Sequence, residues 1–114
     1  MDSSTRPWRE LKMVFRALAD VSRLRIVQEL AEYREAAVSE LAQTLKISQP
    51  LISWHLRTLR RAGVVSKRRS GRVSLYSLNW QRLEWCQEQL ELFGRGQSVA
   101  GGGNGVTLLA DNPA

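Results

Sequence analysis

Apolar positions recur at helical spacing at both ends of this 114-residue chain, and between them the period switches to that of a strand. Trp8, Leu11, Phe15 and Leu18 fall at i, i+3, i+7 and i+10. Pro7 stands near the start of that run and Glu10 in its early turns, where a carboxylate suits the helix dipole, so a first helix is predicted there. A second begins at Asp20 or Ser22, both good N-caps, and runs through Leu24, Ile26, Val27 and Leu30 to Tyr33. A third is short, with Ser39 as its cap, Leu41, Ala42 and Leu45 as its inner face and Ile47 in the following turn. The fourth starts at Ser48, tolerates Pro50 in its first turn and ends before Gly63.

After Gly63 the pattern becomes extended. Val64 to Arg69 and Val73 to Leu78 are short runs rich in β-branched and aromatic residues, and Ser70-Gly71 between them predicts a hairpin turn. Asn79 then caps a last helix over 80–93, whose Leu83, Cys86, Leu90 and Phe93 again fall at i, i+3, i+7 and i+10. The expected class is mainly α with a small β-hairpin. Its order, helix, helix, short helix, recognition helix, basic hairpin and helix, is that of a winged helix-turn-helix with five helices and a two-stranded wing. Residues 1–93 form the expected domain. Residues 94–114, with six of the eight glycines, are expected to be a disordered tail.

Composition narrows the class. With 43% hydrophobic and 25% charged residues, the chain is expected to be one ordinary domain with a modest core. No apolar run approaches the roughly 20 residues that cross a bilayer, and Asp2, Ser3 and Ser4 open the chain without a basic and then apolar leader. The expectation is a protein without membrane attachment, in a reducing cytoplasm. Cys86 is the only cysteine, which excludes an intramolecular disulfide and an all-thiolate metal cage within one chain. One histidine and one cysteine leave catalysis almost nothing to work with, so no enzyme and no cofactor are expected.

Charge separates the chain into thirds. Residues 1–40 carry seven basic and seven acidic side chains, and residues 84–114 carry Arg95 against Glu84, Glu88, Glu91 and Asp111. Between Glu40 and Glu84 stand Lys46, Arg57, Arg60, Arg61, Lys67, Arg68, Arg69, Arg72 and Arg82 with no acidic residue. The balance is therefore 0, then +9, then −3, and the net +6 comes from the middle. A stripe of one sign repels itself in the folded state and suits a polyanion, most often nucleic acid.

The fourth helix can be read position by position. At 100° per residue, Ile52, His55, Leu56 and Leu59 share one face, and Pro50, Ser53, Trp54, Arg57 and Arg61 share the other. The first is a core face; the second is free to enter a major groove. Ser48, Gln49, Ser53 and Trp54 lie in the first two turns, where a recognition helix reaches base edges, while Arg57, Arg60 and Arg61 suit flanking phosphates. Gln49 can pair with adenine, and Trp54 can meet a thymine methyl or pack on sugar. Ser48 is a helix cap first, and Trp54 has the alternative of folding back over the second helix. His55 is a packed or phosphate-touching histidine. In the hairpin, Lys67, Arg68, Arg69 and Arg72 favour phosphates or the minor groove.

Leu18-Ala19-Asp20-Val21-Ser22-Arg23-Leu24-Arg25-Ile26, Ser39-Glu40-Leu41-Ala42, Ser48-Gln49-Pro50-Leu51-Ile52-Ser53-Trp54-His55-Leu56, Leu59-Arg60-Arg61-Ala62-Gly63-Val64-Val65 and Arg69-Ser70-Gly71-Arg72 before Tyr76-Ser77-Leu78 resemble the bacterial ArsR-type (ArsR/SmtB) transcriptional regulators. The resemblance covers residues 11–79 in order and spacing. It implies a homodimeric winged-helix repressor that binds operator DNA and is released by a signal. Metal-sensing members carry Cys-x-Cys at the start of the short third helix, where this chain has Ala37 and Ser39. Others use Asp and His on the final helix, and residues 80–93 contain neither. A metal sensor is therefore not expected.

The terminal helices carry more apolar surface than a small winged core can cover, which predicts a dimer through Trp8, Leu11, Phe15, Leu83, Cys86, Leu90 and Phe93. Cys86 reads as a small packed residue, with a redox link between subunits as the alternative. A twofold dimer would read an inverted repeat. Two other classes stay open on the sequence: a winged-helix module for an acidic protein partner, and a non-specific architectural or RNA-binding protein.

Overall fold

Two helices meet at Asp20. The first, α1 (Arg6–Leu18), ends just before it, and α2 (Val21–Tyr33) begins just after it, capped by the Asp20 carboxylate, which accepts the Arg23 backbone N–H at 3.1 Å. The structure is a computed structural model that describes residues 6–94. In α1 the buried residues are Leu11, Val14 and Ala17. The inward face is thus centred on Val14, and Trp8 and Phe15, about 100° or more away around the helix, turn outward. The expected four-residue stripe is split between core and surface.

The next element is one the sequence pattern did not predict. β1 (Ala36–Ala37) pairs antiparallel with the later strand β3 (Val73–Leu78), Ala36 opposite Tyr76 and Ala37 opposite Leu75. Two alanines carry neither alternation nor a β-branched side chain, so nothing marked them as a strand. They also move the start of α3 (Val38–Leu45). Its N-cap is Ala37, not Ser39, and Glu40 reaches back to accept the Ala37 N–H at 2.8 Å. Arg25 Nη2 donates to the Leu45 carbonyl at 3.2 Å, closing the other end of that helix.

After the turn comes α4 (Gln49–Arg61), with Ser48 as N-cap; its hydroxyl accepts the Leu51 N–H at 3.4 Å. The core face of α4 is as expected, with Ile52, His55, Leu56 and Leu59 all buried. Ile26 and Leu30 of α2, Leu41 of α3 and Ile52, Leu56 and Leu59 of α4 are the largest fully buried side chains, each worth about 1.5 to 3 kcal/mol relative to exposure. Helices α1 to α4 pack on one another around them.

Gly63 (φ +81) turns the chain out of α4, and a Cβ there would lie 3.1 Å from Arg82 Nε. β2 (Val65–Ser70) then pairs with β3 in antiparallel register from Val65 opposite Leu78 to Ser70 opposite Val73. The turn is therefore Gly71-Arg72, one residue later than expected, with Gly71 at φ +65 supplying the left-handed position. The sheet order is β1-β3-β2. A fifth helix, α5, occupies residues 80–94, and its Asn79 cap accepts the Arg82 N–H at 3.2 Å.

Five helices and a three-stranded antiparallel sheet, with α3 and α4 as the helix-turn-helix and β2-β3 as the wing, make this a winged helix-turn-helix. The described residues divide into two compact units between Leu83 and Glu84. Of the glycine-rich segment, residue 94 closes α5, and the rest of the expected tail lies outside the described residues. Among the described residues, no helix is long and apolar enough to cross a membrane.

Candidate nucleic-acid interface

The outward face of α4 is polar at its start, aromatic in its second turn and basic at its end. Ser48, Gln49 and Pro50 are exposed, Ser53 is partly exposed, and Arg57, Arg60 and Arg61 are exposed. Those three arginines make no ion pair with a described residue. The Ser48 hydroxyl is engaged as the helix cap.

Trp54 touches the second helix and still keeps about half of its surface exposed. It is 52% exposed, yet the Arg23 guanidinium of α2 lies over its ring, 5.7 Å from the centroid. The edge of His55 meets the same ring with centroids 5.2 Å apart and planes at 62°. Arg23 is itself tied down: Nε donates to the Ala17 carbonyl at 2.6 Å, and Nη1 lies 3.2 Å from His55 Nδ1. A guanidinium only donates, so Nδ1 is the acceptor and the imidazole proton sits on Nε2. Burial pushes the His55 pKa below its ordinary value; the nearby Asp20 carboxylate opposes that shift and Arg23 adds to it. The Asp20 carboxyl is held below its usual range chiefly by the Arg23 backbone N–H, against the effect of burial. Sequence reasoning missed Arg23, because a helix-two arginine carries no periodic signal for a contact with α4.

The wing divides its charges between two faces. Lys67, Arg69 and Arg72 are exposed and make no ion pair with a described residue. Arg68 is different: Nε meets Glu35 Oε2 at 2.6 Å and Nη2 meets Oε1 at 2.9 Å, a two-pronged bridge. Strand alternation sends Arg68 to the side opposite Lys67 and Arg69, toward the end of α2. The expectation that the basic stripe had no carboxylate to pair with thus needs correction at Arg68, since Glu35 comes from outside the acid-free stretch. The bond from Arg68 holds the Glu35 carboxyl below its usual range. Arg82, the last cation of the stripe, donates from Nε to the Ala62 carbonyl at 3.3 Å, a tie within the fold.

The expected dimer residues are also divided. Trp8 (57%), Phe15 (44%), Leu90 (49%) and Phe93 (43%) are exposed, and Leu83 is partly so. Leu11 and Cys86 are already buried in the single chain, so they have little surface left for a partner. Among the described residues, no group of three or more His, Cys, Asp or Glu is placed to hold a metal ion.

An exposed, polar-to-basic second helix of a helix-turn-helix beside a basic two-stranded wing defines the winged helix-turn-helix class of regulatory proteins. The model of the bacterial regulatory proteins of the arsR family matches residues 20–67, from the α2 cap to the middle of β2. The arsenic resistance transcriptional regulator ArsR2 of Pseudomonas putida is 39% identical over 79 residues, covering 69% of each chain. ArsR1 of the same organism is also 39% identical over 79 residues, and there the chain spans 62% of the relative's length. Among solved structures, an ArsR-like transcriptional regulator from Rhodococcus superposes with a TM-score of 0.77 at 28% identity, over 92% of this chain and 96% of that one. The chain belongs to the arsR family.

Proposed function

We propose that this chain is a homodimeric, sequence-specific DNA-binding transcriptional regulator, a repressor that reads an inverted-repeat operator in the cytoplasm. The observation that carries the reading is shared exposure: Gln49, Ser53 and Trp54 at the start of α4, then Arg57, Arg60 and Arg61, with Lys67, Arg69 and Arg72 on the wing, are all at least partly exposed. Family membership and the regulator names of the relatives support it. A pure phosphate binder needs no amide and hydroxyl aimed at base edges. In this reading residues 1–93 hold the DNA-binding and dimerisation functions, and exposed Trp8, Phe15, Leu90 and Phe93 meet a second copy.

The same reading has no metal signal and no catalytic step. Ala37 and Ser39 stand where metal-sensing members have thiolates, the Ala37 N–H is engaged by Glu40, and the sole histidine is buried against Arg23. Added zinc, cadmium or arsenite is expected to leave DNA affinity unchanged, and a shift beyond scatter would overturn this part. Selection from a random duplex pool tests the whole. Enrichment of an inverted repeat is the expected result; a pool that yields none favours an architectural protein instead.

A further inference from the structure

Leu51 and Trp54 stand apart from the other apolar residues of α4. Leu51 is 44% and Trp54 52% exposed, whereas Ile52, Leu56 and Leu59 of the same helix are fully buried. Both lie in the first two turns, three residues apart, and so share a flank of the helix. At 100° per residue Trp54 lies about 60° from Leu51 on one side and about 60° from Arg57 on the other, so the pair borders the polar face that carries Ser53 and Arg57. Two large apolar side chains, each about half exposed and side by side among polar groups, form a small apolar patch of the kind that a contact covers.

The Trp54 ring is also held in place from outside its own helix. Arg23 covers it at 5.7 Å, and Arg23 is fixed by the Ala17 carbonyl at 2.6 Å and His55 Nδ1 at 3.2 Å. The ring is therefore oriented by α2. What meets this flank must also accept the cations around it, Arg57, Arg60 and Arg61 on the helix and Lys67, Arg69 and Arg72 on the wing. A polyanion satisfies that charge, and the apolar group a DNA duplex offers in its major groove is the thymine 5-methyl.

Resting on the DNA-binding reading above, we propose that Leu51 and Trp54 form an apolar reader of thymine methyl groups, with Arg23 as the positioning residue that orients the Trp54 ring. Thymine is then recognised on this flank by methyl contact, and the Gln49 and Ser53 positions read by hydrogen bonding.

The test uses the duplex enriched from a random pool; a pool with no enriched sequence defeats the DNA-binding reading itself. Each thymine of that duplex is replaced in turn by deoxyuridine, which lacks only the methyl. The wild-type protein is expected to lose about fourfold in affinity for each contacted methyl removed. Leu51→Ala and Trp54→Ala, both surface changes, are expected to bind the thymine and deoxyuridine duplexes equally at the positions they contact. Wild-type affinity that is indifferent to every deoxyuridine overturns the proposal. If Trp54→Ala still weakens binding in that case, the ring packs on sugar. Arg23→Lys keeps the charge and loses the planar guanidinium, so it is expected to reduce thymine discrimination while leaving the salt dependence as in wild type. Full discrimination in Arg23→Lys removes Arg23 from the reader, and the wild-type comparison decides the rest without any variant.

Discussion

Arg23 Nη1 lies 3.2 Å from His55 Nδ1, so a tethered cation on α2 faces the one imidazole of the chain, under the recognition helix. Adding a proton to His55 would place a second positive charge in a buried site beside the first. Burial already pushes its pKa below the ordinary 6.5. Below pH 6.5 the unfolded chain takes up a proton that the folded protein resists, so the His55 contribution to stability is complete above that value and is lost as pH falls. Thermal unfolding is expected to show a lower midpoint at pH 5.5 than at pH 7.5. His55→Gln keeps an acceptor for Arg23 and should flatten that dependence. An identical slope in the variant would assign it to other groups; Asp20 is not one of them, because its carboxyl titrates below 3.8.

The wing makes a prediction in salt. Replacing Arg69 and Arg72 together by Ala should make the fall of log affinity with log salt shallower by about 0.9 for each phosphate contact removed, with sequence preference largely kept. Glu35→Gln should leave the slope near that of wild type, because the Arg68 it releases stands on the side of the wing opposite Lys67 and Arg69. A titration in which the Arg69 and Arg72 double variant keeps the wild-type slope would take the wing out of the interface.

Specificity is expected to sit at the start of α4. Gln49→Ala and Ser53→Ala should each relax discrimination at particular operator positions by about 1 to 3 kcal/mol per lost base contact, with little effect on non-specific binding. Binding to a panel of single-position operator variants measures this. A uniform loss across the panel would mean that these side chains support the backbone and do not read bases.

The dimer can be tested without disturbing the single chain. Leu90 is 49% exposed on α5, so Leu90→Glu should leave the unfolding of the protomer near wild type. In a dimer built on that helix the same change buries an unpaired charge, so sedimentation should show monomers and tight operator binding should be lost. A Leu90→Glu protein that remains dimeric with full affinity would move the interface to Trp8 and Phe15 on α1.

Much of the scaffold was legible from local physics. Ser48, Asn79 and, with Ser22 as its alternative, Asp20 were legible as caps because a short polar side chain before an apolar helical run suits that place; Ser39, read the same way, is not the cap of α3. The buried face of α4 followed from a period of 3.6 residues, and the hairpin from alternating residues around Gly71. The acid-free stretch likewise fixed the sign of charge carried by the middle of the chain.

What sequence by itself determined, then, was the order of elements, the face that α4 buries and the sign of the charge it presents, because each depends on neighbours within a few residues. Tertiary structure alone decided the pairing of Ala36 and Ala37 with β3, the withdrawal of Arg68 onto Glu35, the burial of Leu11 and Cys86, and the hold of Arg23 on Trp54 and His55. The Arg68 and Arg23 contacts join residues 33, 31 and 32 positions apart in the chain, and the β1 pairing joins residues about 40 apart. No periodic pattern encodes a contact at that range; it exists only once the core of α1 to α4 has closed and brought α2 beside both the recognition helix and the wing.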